Sequence, residues 1–290
     1  MKNSKLVFIG GGNMATSLIG GLCNAGINPQ QITVIDPQAE QRARLSAEYR
    51  INTEASATAA VLADADIVTL AIKPQVLQAV CRELASALAE VEKQPLILSV
   101  AAGIRANSIK RWLGGNLAIV RAMPNTPALI QSGATALVAD ADTNDEQRNL
   151  AEEVMRTAGL CVWVDNEATM DAVTAISGSG PAYYFLFMEA MELAGQKLGL
   201  DAKTSRLLTL QTALGAARMA LESQEDPAEL RRKVTSPGGT TEQAILSFEA
   251  NQLRALMEQA TEAAYRRSAE LANQLGTDAI TDNHSNEDSQ

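Results

Sequence analysis

Phe8-Ile9-Gly10-Gly11-Gly12-Asn13-Met14-Ala15 carries small residues at the spacing G-x-G-x-x-A, on Gly10, Gly12 and Ala15. Each would have a mechanical task where a strand turns into a helix. Gly10 permits the tight turn, Gly12 lets backbone N–H groups approach a pyrophosphate, and Ala15 keeps the helix close to the strand, while the positive helix end attracts phosphate charge. The letters alone are weak, since a flexible glycine loop has them too. Position strengthens them: they close a first apolar run, and a second such run ends in an acid, Asp36. A carboxylate there can accept both adenosine ribose hydroxyls of NAD(H) and repels the extra phosphate of NADP(H). NADH is therefore favoured over NADPH, although Arg42 and Arg44 could fold back and neutralise the conflict. A plain turn residue before Pro37 is the competing reading of Asp36.

Three more turns follow apolar runs. Ala71-Ile72-Lys73-Pro74-Gln75 falls at the carboxyl edge of the expected sheet, where Ala71, Lys73 and Pro74 can border a cofactor; a solvated lysine opening a helix is the alternative for Lys73. Ser99-Val100-Ala101-Ala102-Gly103 offers Ala101 in the same way. In Ala122-Met123-Pro124-Asn125-Thr126-Pro127 two prolines hold Asn125, whose amide can orient a nicotinamide or a substrate, against the plainer role of a local turn cap. Farther on, Ser177-Gly178-Ser179-Gly180-Pro181-Ala182-Tyr183 breaks one helical stretch and starts another. Ser236-Pro237-Gly238-Gly239-Thr240-Thr241-Glu242 joins hydroxyls to the unpaired amides of a helix start, which suits a carboxylate.

Much other chemistry is excluded. The only histidine is His284, in a polar terminal stretch, so a Ser-His-Asp triad, a His-ligated zinc and a His proton shuttle have no imidazole in the folded part. No metal site is expected. Cys23, Cys81 and Cys161 are odd in number and far apart, which suits small buried hydrophobes in a reducing compartment. With 24 Lys and Arg against 34 Asp and Glu, a net charge of −10, the chain lacks the basic footprint of a nucleic-acid binder. No apolar run reaches the roughly 20 residues of a membrane span, and the start is too short for a secretory signal, so the expected location is the cytoplasm.

The elements that must position these turns follow from periodicity. Apolar runs at Leu6–Ile9, Ile32–Ile35, Ile67–Ile72, Leu96–Val100, Leu117–Val120 and Ala134–Val138, with a weaker one at Cys161–Val164, read as strands. Between the early ones, Met14–Ala25, Pro37–Tyr49 and Pro74–Ala89 have helical period, which predicts parallel βαβ units. From about Asp165 the strand pattern stops and helices are predicted at Ala168–Ile176, Pro181–Leu198, Ala202–Ser223, Pro227–Val234 and Thr241–Leu275. The last would extend about 50 Å, too long for so small a domain to cover, which predicts an obligate dimer. The expected organisation is a dinucleotide-binding domain at 1–164, a helical dimerisation and substrate domain at 165–275, and a disordered acidic tail at 276–290.

FIGGGNM at 8–14, AIKPQ at 71–75, RAMPNTPAL at 121–129, SGSGPAY at 177–183 and SPGGTT at 236–241 stand in the order and spacing of one family. Along essentially its whole length to residue 275 the chain resembles pyrroline-5-carboxylate reductases. The resemblance implies an α/β Rossmann-type domain followed by an all-α dimerisation domain, and reduction of a cyclic imine to L-proline by hydride from NADPH or NADH. It also implies a partner chain that completes each active site, with dimers often assembled into a decamer. Gly10, Gly11, Gly12, Asn13 and Met14 would then hold the cofactor. Ser177, Gly178 and Ser179 would border the substrate, while Ser236, Gly239, Thr240 and Thr241 contact its carboxylate and imine nitrogen, with the Thr241 hydroxyl nearest that nitrogen. Members of the family often carry a small polar residue where this chain has Asp36. The reaction fits the missing histidine, since a protonated imine needs positioning and a donor more than a nucleophile or base. Rival readings are a related imine or keto-acid reductase, and a non-catalytic redox sensor that would have no use for a carboxylate cradle.

Overall fold

The computed structural model describes residues 1, 3–115 and 117–276. Its first part alternates strand and helix: β1 (Leu6–Ile9), α1 (Asn13–Asn24), β2 (Ile32–Ile35), α2 (Ala39–Tyr49), β3 (Asn52–Glu54), α3 (Ala59–Leu62), β4 (Ile67–Leu70), α4 (Pro74–Ala89), β5 (Leu96–Ser99), α5 (Ala106–Trp112) and β6 (Ile119–Met123). Then come β7 (Gly133–Ala139), α6 (Asp145–Arg156) and β8 (Gly159–Trp163). Helices follow: α7 (Thr169–Val173), α8 (Gly180–Lys197), α9 (Ala202–Glu222), α10 (Pro227–Lys233), α11 (Thr240–Ala250) and α12 (Leu253–Gly276).

The strands form one sheet in the order β3-β2-β1-β4-β5-β6-β7-β8. Strand order reverses between β1 and β4, the switch point at which open parallel sheets leave a crevice for ligands. Both faces are covered. Leu6 and Phe8 pack in one buried cluster with Leu18 and Leu22 of α1, while Val7 and Ile9 pack in another with Leu77 and Leu84 of α4. That alternation explains why the strands read as unbroken apolar runs.

The sequence reading differs from the fold in several places. β7 runs antiparallel to β6, an orientation that the parallel βαβ units expected among the early strands did not extend to. The polar edge strand β3 (Asn-Thr-Glu) has no apolar run to announce it. The expected loop at 177–183 is largely helical: residues Thr174–Gly178 form a π-helical turn that leads through Ser179 into α8. The single closing helix is two. Gln252 has φ +58°, and Asn251 Nδ2 donates to Ser247 O at 2.8 Å, so the chain stops and restarts between α11 and α12. α12, with 24 residues, spans about 36 Å instead of 50 Å.

The described residues form two compact units, one of Met1–Gly178 with Tyr265–Gly276, the other Ser179–Ala264. The division differs from an expected boundary at 165 for a packing reason. α7 stays with the sheet, because Met170 is buried beside Ala136 and Val138. The end of α12 also belongs there: Ser268 Oγ donates to Asp171 Oδ1 at 2.7 Å, and the Gly276 carbonyl accepts from Ser108 Oγ at 3.2 Å and Arg111 Nη2 at 3.0 Å. The acidic tail expected to be disordered, with His284, lies beyond Gly276 outside the described residues.

In the second unit α8 and α9 approach closely at Gly195, where Ser205 Oγ donates to the Glu192 carbonyl at 2.7 Å. Phe187 and Phe248 pack with ring centroids 6.4 Å apart. Much else is bare. Tyr184, Phe185, Leu186 and Phe187 are successive exposed residues of α8, and Leu207, Leu214 and Leu221 of α9 are exposed as well. Helices apolar on more than one face need cover from another surface. Sedimentation velocity at low micromolar concentration should therefore find a mass at least twice the 30.7 kDa of one chain; a monomer would contradict this.

Candidate active site

The glycine turn is dictated by crowding on one side and openness on the other. Gly10 has φ +92°, and a Cβ on it would lie 2.5 Å from Ile72 Cγ2 and 2.8 Å from the Ala71 carbonyl, so the loop after β4 presses against it. A Cβ on Gly11 would lie 2.7 Å from Leu45. Gly12 is different: a Cβ there would meet nothing within 4 Å. Packing does not require a glycine at 12, whereas a ligand lying against the backbone would. Gly12 is also the N-cap of α1, with no side-chain cap and no acidic residue in the first turn, so the helix presents its positive end to that open space. Ala15 is fully buried and lets α1 lie on the sheet, whereas Met14 turns toward the core.

Asp36 braces this turn. Its Oδ2 accepts the Gly11 N–H at 2.8 Å and its Oδ1 the Gln38 N–H at 2.9 Å. Beside it opens a cleft of about 390 Å³ lined by Gly12, Asn13, Thr16, Asp36, Gln38, Gln41, Arg44 and Leu129. Thus Gly12, Asn13 and Asp36, singled out in the sequence, meet around one cavity. Thr16, Gln41 and Leu129 were missed. Gln41 and Arg44 lie three residues apart on α2 and so share a face, a signal the sequence did contain. Leu129 is brought in by the turn after β6, which Ser17 Oγ holds by donating to the Ala128 carbonyl.

The remaining turns lie at the same carboxyl edge. Ala71 N–H donates to Ile9 O at 2.9 Å, Lys73 is the exposed N-cap of α4, and Pro74 is its first residue. Ala101 is buried in the core. Asn125 is tied down: Nδ2 donates to the Ser177 carbonyl at 3.0 Å, and Oδ1 accepts the Ala134 N–H at 2.9 Å. It joins the Pro-Asn-Thr-Pro turn to the Ser-Gly-Ser-Gly segment. The amide expected to orient a nicotinamide thus has a structural duty, with one N–H to spare. A Cβ on Gly178 would lie 2.6 Å from Met123 Cε, the mobile end of a side chain that would have to move aside. Ser177 Oγ donates to Val173 O at 3.0 Å, and Ser179 caps α8 without a side-chain hydrogen bond. Nearby, buried Arg121 pairs with Glu167 at 2.7 Å, and the same Glu167 oxygen accepts the Ala106 N–H at 2.7 Å. Sequence reading gave no hint of this brace.

The second unit carries the other motif. Gly238 has φ +72°, Gly239 N–H donates to Ser236 O at 3.0 Å, and the Glu242 carboxylate accepts the Gly238 N–H at 2.8 Å. Two of the loop amides are therefore used within the loop. Gly239 is the N-cap of α11 with no side chain to offer, and Ser236, Thr240 and Thr241 are exposed around it. Hydroxyls and first-turn amides facing solvent make this a place for an anion with a hydrogen-bonding neighbour.

Comparison with known proteins bears on both units. A family profile described as pyrroline-5-carboxylate reductase dimerisation matches residues 167–271, and one described as NADP oxidoreductase coenzyme F420-dependent matches residues 5–103. The chain is 55% identical to the pyrroline-5-carboxylate reductase of Pseudomonas aeruginosa over 276 residues, covering 95% of this chain and all of that one. It belongs to the pyrroline-5-carboxylate reductase family. Among solved structures of the family, that from Coxiella burnetii superposes with a TM-score of 0.88 at 44% identity over 92% of this chain and 98% of that one. The Plasmodium falciparum structure, with NADP bound, gives 0.80 at 29% identity over 94% and 99%.

In this member of the pyrroline-5-carboxylate reductase family the open space over Gly12 separates folding from ligand binding. Gly12→Ala should lower stability by less than about 1 kcal/mol, the size of a weak N-cap change, because its Cβ meets no protein atom. NADH affinity, followed by fluorescence titration, should fall at least tenfold. Unchanged affinity would show that no ligand lies over Gly12.

Proposed function

We propose that this chain reduces 1-pyrroline-5-carboxylate to L-proline with NADH or NADPH, the last step of proline biosynthesis. The observation that carries the reading is the pairing, in one chain, of an uncapped helix start over an open glycine turn with a second uncapped helix start flanked by hydroxyls. Full-length similarity to reductases named for that substrate supports it.

A reduced nicotinamide, when bound, would supply a hydride to the imine carbon of the protonated ring, whose nitrogen keeps its proton. Around that transfer the chain's own groups bind and orient. Gly10, Gly11, Gly12 and Asn13 receive the pyrophosphate, Asp36 faces the adenosine ribose, and the turns at Ala71–Pro74, Ala101 and Asn125 border the nicotinamide half. On the second unit Ser236, Gly239 and Thr240 hold the substrate carboxylate, and Thr241 offers its hydroxyl to the imine nitrogen. Ser177, Gly178 and Ser179 flank the ring. The chain acts as a homodimer in which the partner completes each site, with a decamer as the larger assembly, in the cytoplasm.

Two measurements test this reading. Loss of absorbance at 340 nm should require both the cyclic imine and a reduced nicotinamide coenzyme, and Thr241→Ala should lower kcat/KM about ten- to a hundredfold, on the order of 1.4 to 2.7 kcal/mol, by removing the hydroxyl that accepts the imine N–H. Unchanged kinetics would leave Thr241 a residue of the helix start and nothing more. In the wild-type protein kcat/KM should be higher with NADH than with NADPH, because of Asp36; a tenfold preference for NADPH would refute that role.

A further inference from the structure

The two arginines that follow Asp36 part company in the fold. Arg42 folds back on the strand end, where Nη1 donates to the carbonyls of Asp36 at 2.7 Å and Pro37 at 3.0 Å. It is occupied with backbone. Arg44 crosses to α1 instead: Nη2 donates to Thr16 Oγ1 at 3.0 Å and Nε to Gln41 Oε1 at 3.4 Å. Gln41 in turn donates to the Gly11 carbonyl, so the guanidinium is linked through one side chain to the glycine turn.

Arg44 also lines the cleft that holds Asp36, Gly12 and Asn13. Its other tie is Glu48 at 3.2 Å, with both side chains nearly half exposed. Such an exposed pair is weak and yields readily to a stronger anion. Meanwhile both Asp36 oxygens accept backbone amides, which fixes the carboxylate against the turn. A fixed acid and a fork-shaped cation thus border one cavity.

We propose that Arg44 receives the 2′-phosphate of NADP(H), and that it is this residue, not Arg42, which lets the chain use both coenzymes in spite of Asp36. The proposal rests on the dinucleotide reading of the amino-terminal unit. A guanidinium binds a phosphate through two parallel N–H···O bonds and keeps its charge at any working pH. Thr16 and Gln41 hold it toward the cleft before a ligand arrives, which reduces the ordering cost of binding.

The test uses the whole protein and no imine, since NADH and NADPH differ only in that phosphate. Fluorescence titration of Arg44→Gln should show NADPH affinity reduced about tenfold and NADH affinity changed less than twofold, with Arg44→Lys recovering part of the loss by restoring charge without the fork. Equal weakening toward both coenzymes, or no change toward either, would overturn the assignment. Arg42→Gln serves as the control and should leave the NADPH to NADH affinity ratio within twofold of wild type; a shift there as large as for Arg44 would also overturn it. Wild-type protein that binds both nucleotides but consumes neither with the imine would sink the reductase reading and leave this one standing.

Discussion

The amino end of α1 has no side chain to satisfy it, and the rest of the first unit is built around that unmet demand. Gly12 as N-cap supplies no oxygen, and the first turn carries no acid, so the helix keeps the partial positive charge of its exposed amides. Holding such an end open requires bracing. Gly10 is wedged against the loop after β4, Asp36 anchors the Gly11 amide, and the buried face of α1 is locked on the sheet through Ala15, Leu18 and Leu22. Strand order reverses at this place, so no helix crosses over it and the crevice remains accessible.

The same device recurs in the second unit with different surroundings. Gly239 again caps a helix without a side chain, but here Ser236, Thr240 and Thr241 provide hydroxyls, and Glu242 draws in the Gly238 amide to shape the turn. One uncapped end is suited to a diphosphate, the other to a carboxylate beside a nitrogen. Neither needs imidazole or metal, which is how a chain whose only histidine is His284 can still run a reduction.

What the sequence disclosed and what it concealed divide along physical lines. Strands buried on both faces announce themselves, since Leu6–Ile9 and Ile67–Leu70 are buried at every position and apolar at all but Thr69. Glycines at fixed offsets from such a strand are equally plain. The edge strand Asn52–Glu54 gave no sign, because its pairing is made by backbone and its side chains face water. The break at Gln252 was hidden as well: glutamine is a good helix former, and its left-handed conformation is set by context, not by type. In the site, backbone-binding positions were legible and side-chain roles were less so. Asn125 has the look of a ligand group but ties two loops together, and Arg121 with Glu167 forms a brace that no local pattern could announce.

The first unit is not continuous in sequence. Its last piece, from Tyr265 to Gly276, sits beside Gly103 through Leu271 and Ala272 and hydrogen-bonds to Ser108, Arg111 and Asp171. A ribosome releases Met1 through Gly178 long before that piece exists, so the nascent sheet must wait, with this flank unsealed, while the intervening helices are made. Completion of the nucleotide half is thereby tied to synthesis of the whole polypeptide, and a prematurely terminated product would lack the segment that closes it.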